Sequence, residues 1–217
     1  MSSYELVIFD WDGTIMDSTG LIAACIQQSC REMGLAVPPE SEAKWVIGLG
    51  FLQSVEHVAP GLDPGRQAEL AQSYRRHFVA REHEAPLYEG IRELLAELRA
   101  RRRRLAVATG KARVGLDRVL GATGLAPYFE ATRCADEGEP KPHPDMVLRL
   151  LEATGVEPRR ALLVGDTTHD LELAENAGVD AVAVCYGAHD EARLRARQAR
   201  HYAASVEELG RWLAQYA

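Results

Sequence analysis

Four short apolar runs punctuate the chain: Glu5–Asp10, Arg104–Thr109, Ala161–Asp166 and Asp180–Cys185. Each is flat in pattern rather than alternating, as expected of strands covered on both faces. Phe129–Thr132 is a weaker run of the same kind. Between them, Glu89–Arg102, Ala112–Ala122, Pro144–Thr154 and Thr168–Ala177 carry helical periodicity, and Gly155 and Gly178 sit where helix C-terminal glycines belong. This alternation predicts an α/β fold, a Rossmann-like parallel sheet with helices on both faces.

Residues 18–84 interrupt the alternation with no convincing strand. Ser18 is placed to cap a helix whose apolar positions Leu21, Ile22, Cys25, Ile26 and Met33 share one side, with Gly34 ending it. After Pro38-Pro39 a second helical stretch reaches Ile47. Gly48-Leu49-Gly50 follows, then helical patterns over Phe51–Val58 and from Gly65 to about Glu82. The pattern predicts a small all-helical domain (18–84) inserted after the first strand of an α/β core (1–17 and 85–217). Pro86 and Gly90 mark the return.

Composition sharpens this only at the margins. With 217 residues, 47% hydrophobic and 26% charged, the chain is an ordinary globular protein large enough for a core without staples. A net charge of −7 argues against nucleic acid or an anionic membrane as partner, since both need a basic face. Arg101-Arg102-Arg103-Arg104 is the one basic run, and it reads as a solvated helix end favoured by the dipole. No window reaches a membrane span and MSSYEL does not resemble a signal peptide. Cys25, Cys30, Cys134 and Cys185 form no Cys-x-x-Cys pair, so reduced core thiols and a cytoplasmic location are expected.

The chemistry concentrates at the ends of the strand-like runs. Leu6-Val7-Ile8-Phe9 leads straight into Asp10 and Asp12, which face the same way if the chain stays extended, and Gly13 then lets the backbone turn. Ala161–Gly165 ends likewise in Asp166. Carboxyl ends of parallel strands line one crevice, so Asp10, Asp12 and Asp166 converge there, and converging carboxylates need a cation. All-oxygen ligation suits Mg²⁺. Thr109 and Gly110 offer a hydroxyl and an open backbone, and Lys141, between Pro140 and Pro142, offers an ammonium. Together with a metal these make a site for a phosphoryl group. Thr109 could instead cap the following helix. Thr167-x-x-Asp170 fits a capping box, so Asp170 could be structural as well as metal-facing. His169 reads as a first-turn helix residue, His143 as a loop residue, and Asp17 as a helix cap or hinge.

These residues resemble the haloacid dehalogenase-like hydrolases across essentially the whole chain: Asp10-x-Asp12-Gly13-Thr14, then Thr109, then Lys141, then Gly165-Asp166-Thr167-Thr168-His169-Asp170. The insertion is similar to the helical cap of the phosphoglycolate phosphatase and β-phosphoglucomutase branch. The resemblance implies Asp10 as nucleophile and Asp12 as general acid and base. It implies Thr109, Gly110 and Lys141 around phosphate oxygens. It places Mg²⁺ on Asp10, Asp166, Asp170 and the Asp12 backbone carbonyl. Gly48, Leu49 and Gly50 would form a substrate-facing cap loop, with Lys44, His57, Arg75, Arg76 and His77 as cap candidates that pattern alone cannot orient. The expected activity is hydrolysis of a small organic phosphomonoester, closest to 2-phosphoglycolate. A phosphosugar mutase, an inorganic pyrophosphatase and a catalytically silent binding module are the alternatives. The mutases usually carry a basic residue after the cap loop, where this chain has Phe51-Leu52-Gln53. Oligomeric state is left open.

Overall fold

A computed structural model describes residues 4–217. Six strands form one sheet: β1 (Leu6–Phe9), β2 (Arg104–Thr109), β3 (Ala131–Cys134), β4 (Ala161–Gly165), β5 (Asp180–Val184) and β6 (His201–Ala203). Their order is β3-β2-β1-β4-β5-β6 and every pairing is parallel. β1 is central, with Phe9 opposite both Val107 and Val164. Its side chains divide between two cores, as the twofold alternation of a strand requires. Leu6 and Ile8 pack with α7 (Asp145–Thr154) and α8 (Thr168–Ala177). Val7 and Phe9 pack on the other face with α5 (Ile91–Ala100), α6 (Arg113–Thr123) and α10 (Val206–Tyr216). All four β1 side chains are fully buried, which explains the flat apolar pattern.

The expected strands are present, with one shifted. β3 begins at Ala131 rather than Phe129, because Phe129 turns into the core and meets Trp11 edge-on at 6.3 Å. Two elements near the C-terminus were not read from the sequence. β6 is only three residues and polar on one side, and α10 follows it, the Ser205 hydroxyl accepting from Glu208 N–H at 3.1 Å. A further short helix, α9 (Glu191–Arg195), precedes β6. The arginine run ends α5 as expected: Arg101 pairs with Glu97, and Arg104 already belongs to β2, where it pairs with Glu130 and Glu5.

Between β1 and α5 lie α1 (Thr19–Glu32), α2 (Glu40–Trp45), α3 (Phe51–Val58) and α4 (Pro64–Arg81), then a 3-10 turn, Glu82–Glu84. Ile22, Cys25, Ile47 and Phe78 form one apolar cluster of this insertion, and Cys30, Val55, Ala59 and Leu70 another. The two crossing segments run side by side, Asp17 N–H donating to Pro86 C=O at 2.9 Å. All four cysteines are free thiols. Among the described residues no helix is long and apolar enough to cross a membrane.

Candidate active site

Asp10 follows directly on β1, anchored by its N–H to Val164 C=O at 2.9 Å. Asp166 follows β4, and Asp170 lies in the first turn of α8. All three are at least 99% buried, and one oxygen from each lies within 4.8 Å of the others. Gly13 makes this possible. Its φ of +85° turns the chain, and a Cβ there would come within 2.1 Å of Asp166 Oδ2.

Lys141, wholly buried, donates to Asp10 Oδ1 and to Asp170 Oδ1, each at 2.7 Å. Asp166 Oδ1 accepts from the Thr14 hydroxyl at 2.8 Å and Oδ2 from Ala188 N–H at 2.7 Å. Asp170 Oδ2 accepts from the Thr167 N–H and hydroxyl, so the capping box is real and Asp170 serves the helix and the acidic cluster together. Asp10 Oδ2 is the exception: it is buried and has no hydrogen-bond partner.

The electrostatics follow from burial. Loss of water pushes the Asp10 carboxyl up, Lys141 opposing and Asp170 and Asp12 adding to it. The same cause, with the charge of Asp10, pushes Asp166 well above the ordinary range. Asp170 is held low, because Lys141 and Thr167 outweigh its desolvation. Three carboxylates face one ammonium, and their oxygens converge on a shared point. A divalent, oxygen-seeking cation such as Mg²⁺ fits that donor set and that charge.

The Asp12 carboxylate stands apart from this cluster, contrary to the expected convergence with Asp10 and Asp166, because the chain leaves its extended course after β1 and turns at Trp11. Its Oδ1 accepts from the Ser18 hydroxyl at 2.7 Å and from Lys111 Nζ at 3.0 Å. Ser18 stands at the N-cap position of α1, as read from the sequence, but its hydroxyl is turned to Asp12 and accepts no N–H from the helix. Lys111 lies 3.9 Å from Glu82 and over the Phe78 ring. Thr109 is 99% buried, and its hydroxyl accepts from Lys111 N–H at 3.2 Å. It is not the cap of α6, whose N-cap is Ala112.

The loop Gly48-Leu49-Gly50 is folded onto the segments that carry Gly110, Pro140 and Thr167. A Cβ on Gly110 would sit 2.7 Å from Gly48 O, one on Gly50 2.8 Å from Pro140 Cβ, and one on Gly48 3.5 Å from the Thr167 hydroxyl. Of the other insertion candidates, Lys44 pairs with Glu40, His57 with Glu42, and Arg76 and His77 with Glu32, so these four are engaged within the insertion itself. Sequence reading missed Thr14, Ser18, Lys111 and Glu82 as neighbours of the site. Thr14 belongs to the first motif but was given no role of its own, and Lys111 adjoins Thr109-Gly110, an adjacency that alone could have flagged it.

Residues 7–184 match the family model described as "Haloacid dehalogenase-like hydrolase". The chain belongs to that family. It is 32% identical to a phosphoglycolate phosphatase of Aquifex aeolicus, over 84% of this chain and 85% of that protein. It is 31% identical to a 5'-nucleotidase of Pseudomonas aeruginosa, over 95% and 94%. A solved haloacid dehalogenase-like hydrolase of Streptococcus pneumoniae superposes over the full length of both chains, with a TM-score of 0.83 and 25% identity. The chain is a phosphatase of this family, a phosphoric monoester hydrolase.

Proposed function

We propose that this phosphatase hydrolyses a small organic phosphomonoester through a phosphoester on Asp10, with Mg²⁺ held by Asp10, Asp166, Asp170 and the Asp12 backbone carbonyl. The observation that carries this reading is the state of Asp10: one oxygen is fixed by Lys141 and the other is buried without a partner. An ionised carboxylate needs no base to act as nucleophile. When bound, the cation offsets the repulsion between that carboxylate and the anionic phosphoryl group.

The chain's residues account for the remaining steps. Asp10 Oδ2 bonds to phosphorus as the bond from phosphorus to the leaving oxygen breaks. Thr109, Gly110 and Lys141 hold the non-bridging oxygens. Asp12 gives its proton to the leaving oxygen, then takes one from the water that attacks the Asp10 phosphoester, freeing phosphate and Asp10. Residues 18–84 act as a cap domain over the core (1–17 and 85–217), and Gly48-Leu49-Gly50 reads the leaving group. The close seat of that loop on Gly110 and Pro140 favours a compact substrate.

Relatives named phosphoglycolate phosphatase make 2-phosphoglycolate the first choice and the 5'-nucleotidase relative makes a nucleoside monophosphate the second. The test is phosphate release from a panel holding both, with sugar phosphates and pyrophosphate, in Mg²⁺ and in EDTA. Turnover of 2-phosphoglycolate that needs Mg²⁺ supports the proposal. Full activity in EDTA would remove the metal, and preference for another compound would replace the substrate.

A further inference from the structure

Two buried histidines of the core converge on one carbonyl of the insertion. His169, 4% exposed, lies in the first turn of α8, and its Nε2 is 2.8 Å from Trp45 O. His189, 3% exposed, lies in the loop between β5 and α9, and its Nε2 is 3.0 Å from the same oxygen. The two rings meet edge-on, 5.1 Å apart. Trp45 ends α2, so its carbonyl is one that the helix itself leaves without a donor. Two donors fill both of its lone pairs.

We propose that His169 and His189 are positioning residues that clasp the Trp45 carbonyl and so set the cap loop over the catalytic loops. The direction of the donation is fixed for His189. Its Nδ1 accepts from Thr168 N–H at 3.1 Å, so in the neutral ring the hydrogen sits on Nε2. The indole is fixed as well, with His169 edge-on at 4.9 Å and His57 stacked at 4.2 Å. Three residues beyond Trp45, Gly48 O abuts Gly110.

The clasp is built on the same loops that carry the carboxylates. His169 is next to Asp170. His189 N–H donates to Asp166 C=O at 3.3 Å, and the neighbouring Ala188 N–H donates to Asp166 Oδ2. The place of the cap loop is thereby referenced to the acidic cluster itself, which is what a loop that orients a leaving group against Asp10 requires. The kinetic consequence rests on the cap-loop reading above; the clasp does not.

Hydrogen exchange on the intact protein tests the clasp directly. In the double variant H169L/H189L, amides 46–52 should exchange about tenfold faster or more, with β1 and β4 unchanged. The H169Q and H189Q variants, which keep an N–H donor of similar reach, should fall between. Unchanged exchange of 46–52 in the double variant overturns the clasp. Should the leucine variant not fold, nitrogen-15 NMR of the wild-type imidazoles decides: a ring found with its hydrogen on Nδ1 alone cannot donate from Nε2 and ends the proposal. On the phosphate that the wild type turns over best, KM should rise about tenfold, kcat falling less, with recovery in the glutamine variants. Faster loop exchange with KM unmoved would keep the clasp and overturn the cap-loop reading instead.

Discussion

Asp10 and Asp12, one residue apart in the sequence, meet different partners. Asp10 shares Lys141 with Asp170 inside the acidic cluster, while Asp12 is held by Ser18 and Lys111 beside the insertion. In the proposed mechanism that separation lets Asp10 act as nucleophile and Asp12 as proton carrier. Asp10→Asn keeps the shape but removes the nucleophile's charge, so turnover should fall by on the order of 10⁴-fold or more, measured as phosphate release with folding checked. A variant that kept most of its turnover would move the nucleophile elsewhere. Asp12→Ala should behave differently on two substrates. An aryl phosphate leaves with little protonation, so the variant should give a burst of phenolate near one equivalent, followed by a steady rate roughly 10²–10⁴-fold slow for want of the base. 2-Phosphoglycolate, whose first step needs the acid, should give no burst. Stopped-flow release on both substrates reads this, and a burst from neither would argue against the covalent route through Asp10.

At the scale of elements, the loop between α2 and α3 is seated by two contacts that leave no room for a Cβ, at Gly110 and at Gly50. Gly110→Val would drive a Cβ to within 2.7 Å of Gly48 O, which is backbone and cannot swing aside. The loop must lift, so KM for an alkyl phosphate should rise more than KM for a small aryl phosphate, with Tm nearly unchanged because β2 itself is not disturbed. Replacing Leu49 with a bulky or charged residue should have the same selective effect through the cap side of the contact. Equal losses on every substrate in the Leu49 variants would mean that the loop does not read the leaving group; in Gly110→Val they would reflect its place beside the phosphate oxygens instead.

For the whole molecule, pH and metal act through one cluster. Burial among like charges holds Asp10 and Asp166 above the ordinary carboxylate range. Between the unfolded value of about 3.9 and those raised values, the folded protein binds more protons than the unfolded chain. Asp10 and Asp166 should therefore make metal-free protein lose stability as pH rises through that window, while His169 and His189, whose burial holds them below the ordinary histidine range, work in the opposite sense up to about pH 6.5. Asp170, held low, also works in the opposite sense, but its window lies below about pH 4. A cation that replaces those protons should reverse the trend. At one hundred times its Kd, Mg²⁺ should add about 2.7 kcal/mol, with a higher Kd at acid pH because protons compete for the same oxygens. Calorimetric Tm at about pH 5.5 and about pH 8, with fixed Mg²⁺ and with EDTA, measures both effects. A Mg²⁺ shift absent at both values would show that the cluster is not the metal site.

The sequence by itself determined the parallel sheet, the helical insertion and the meeting of Asp10 with Asp166; the third carboxylate it placed with them was Asp12, where the structure has Asp170. These follow from local pattern: a strand buried on both faces must be apolar, and the residue after it must emerge at the strand's carboxyl end. Only the tertiary structure decided where Asp12 turns, because Ser18 and Lys111, from different segments, both donate to its Oδ1. It decided that Asp170 serves a helix and the cluster together, and that Phe129 leaves the sheet for the core. It also gave β6, whose three residues pair only because β5 presents an open edge. The clasp on Trp45 joins positions more than a hundred residues apart through a backbone carbonyl. A carbonyl carries no side-chain identity, so no pattern along the chain can announce that contact before the fold closes it.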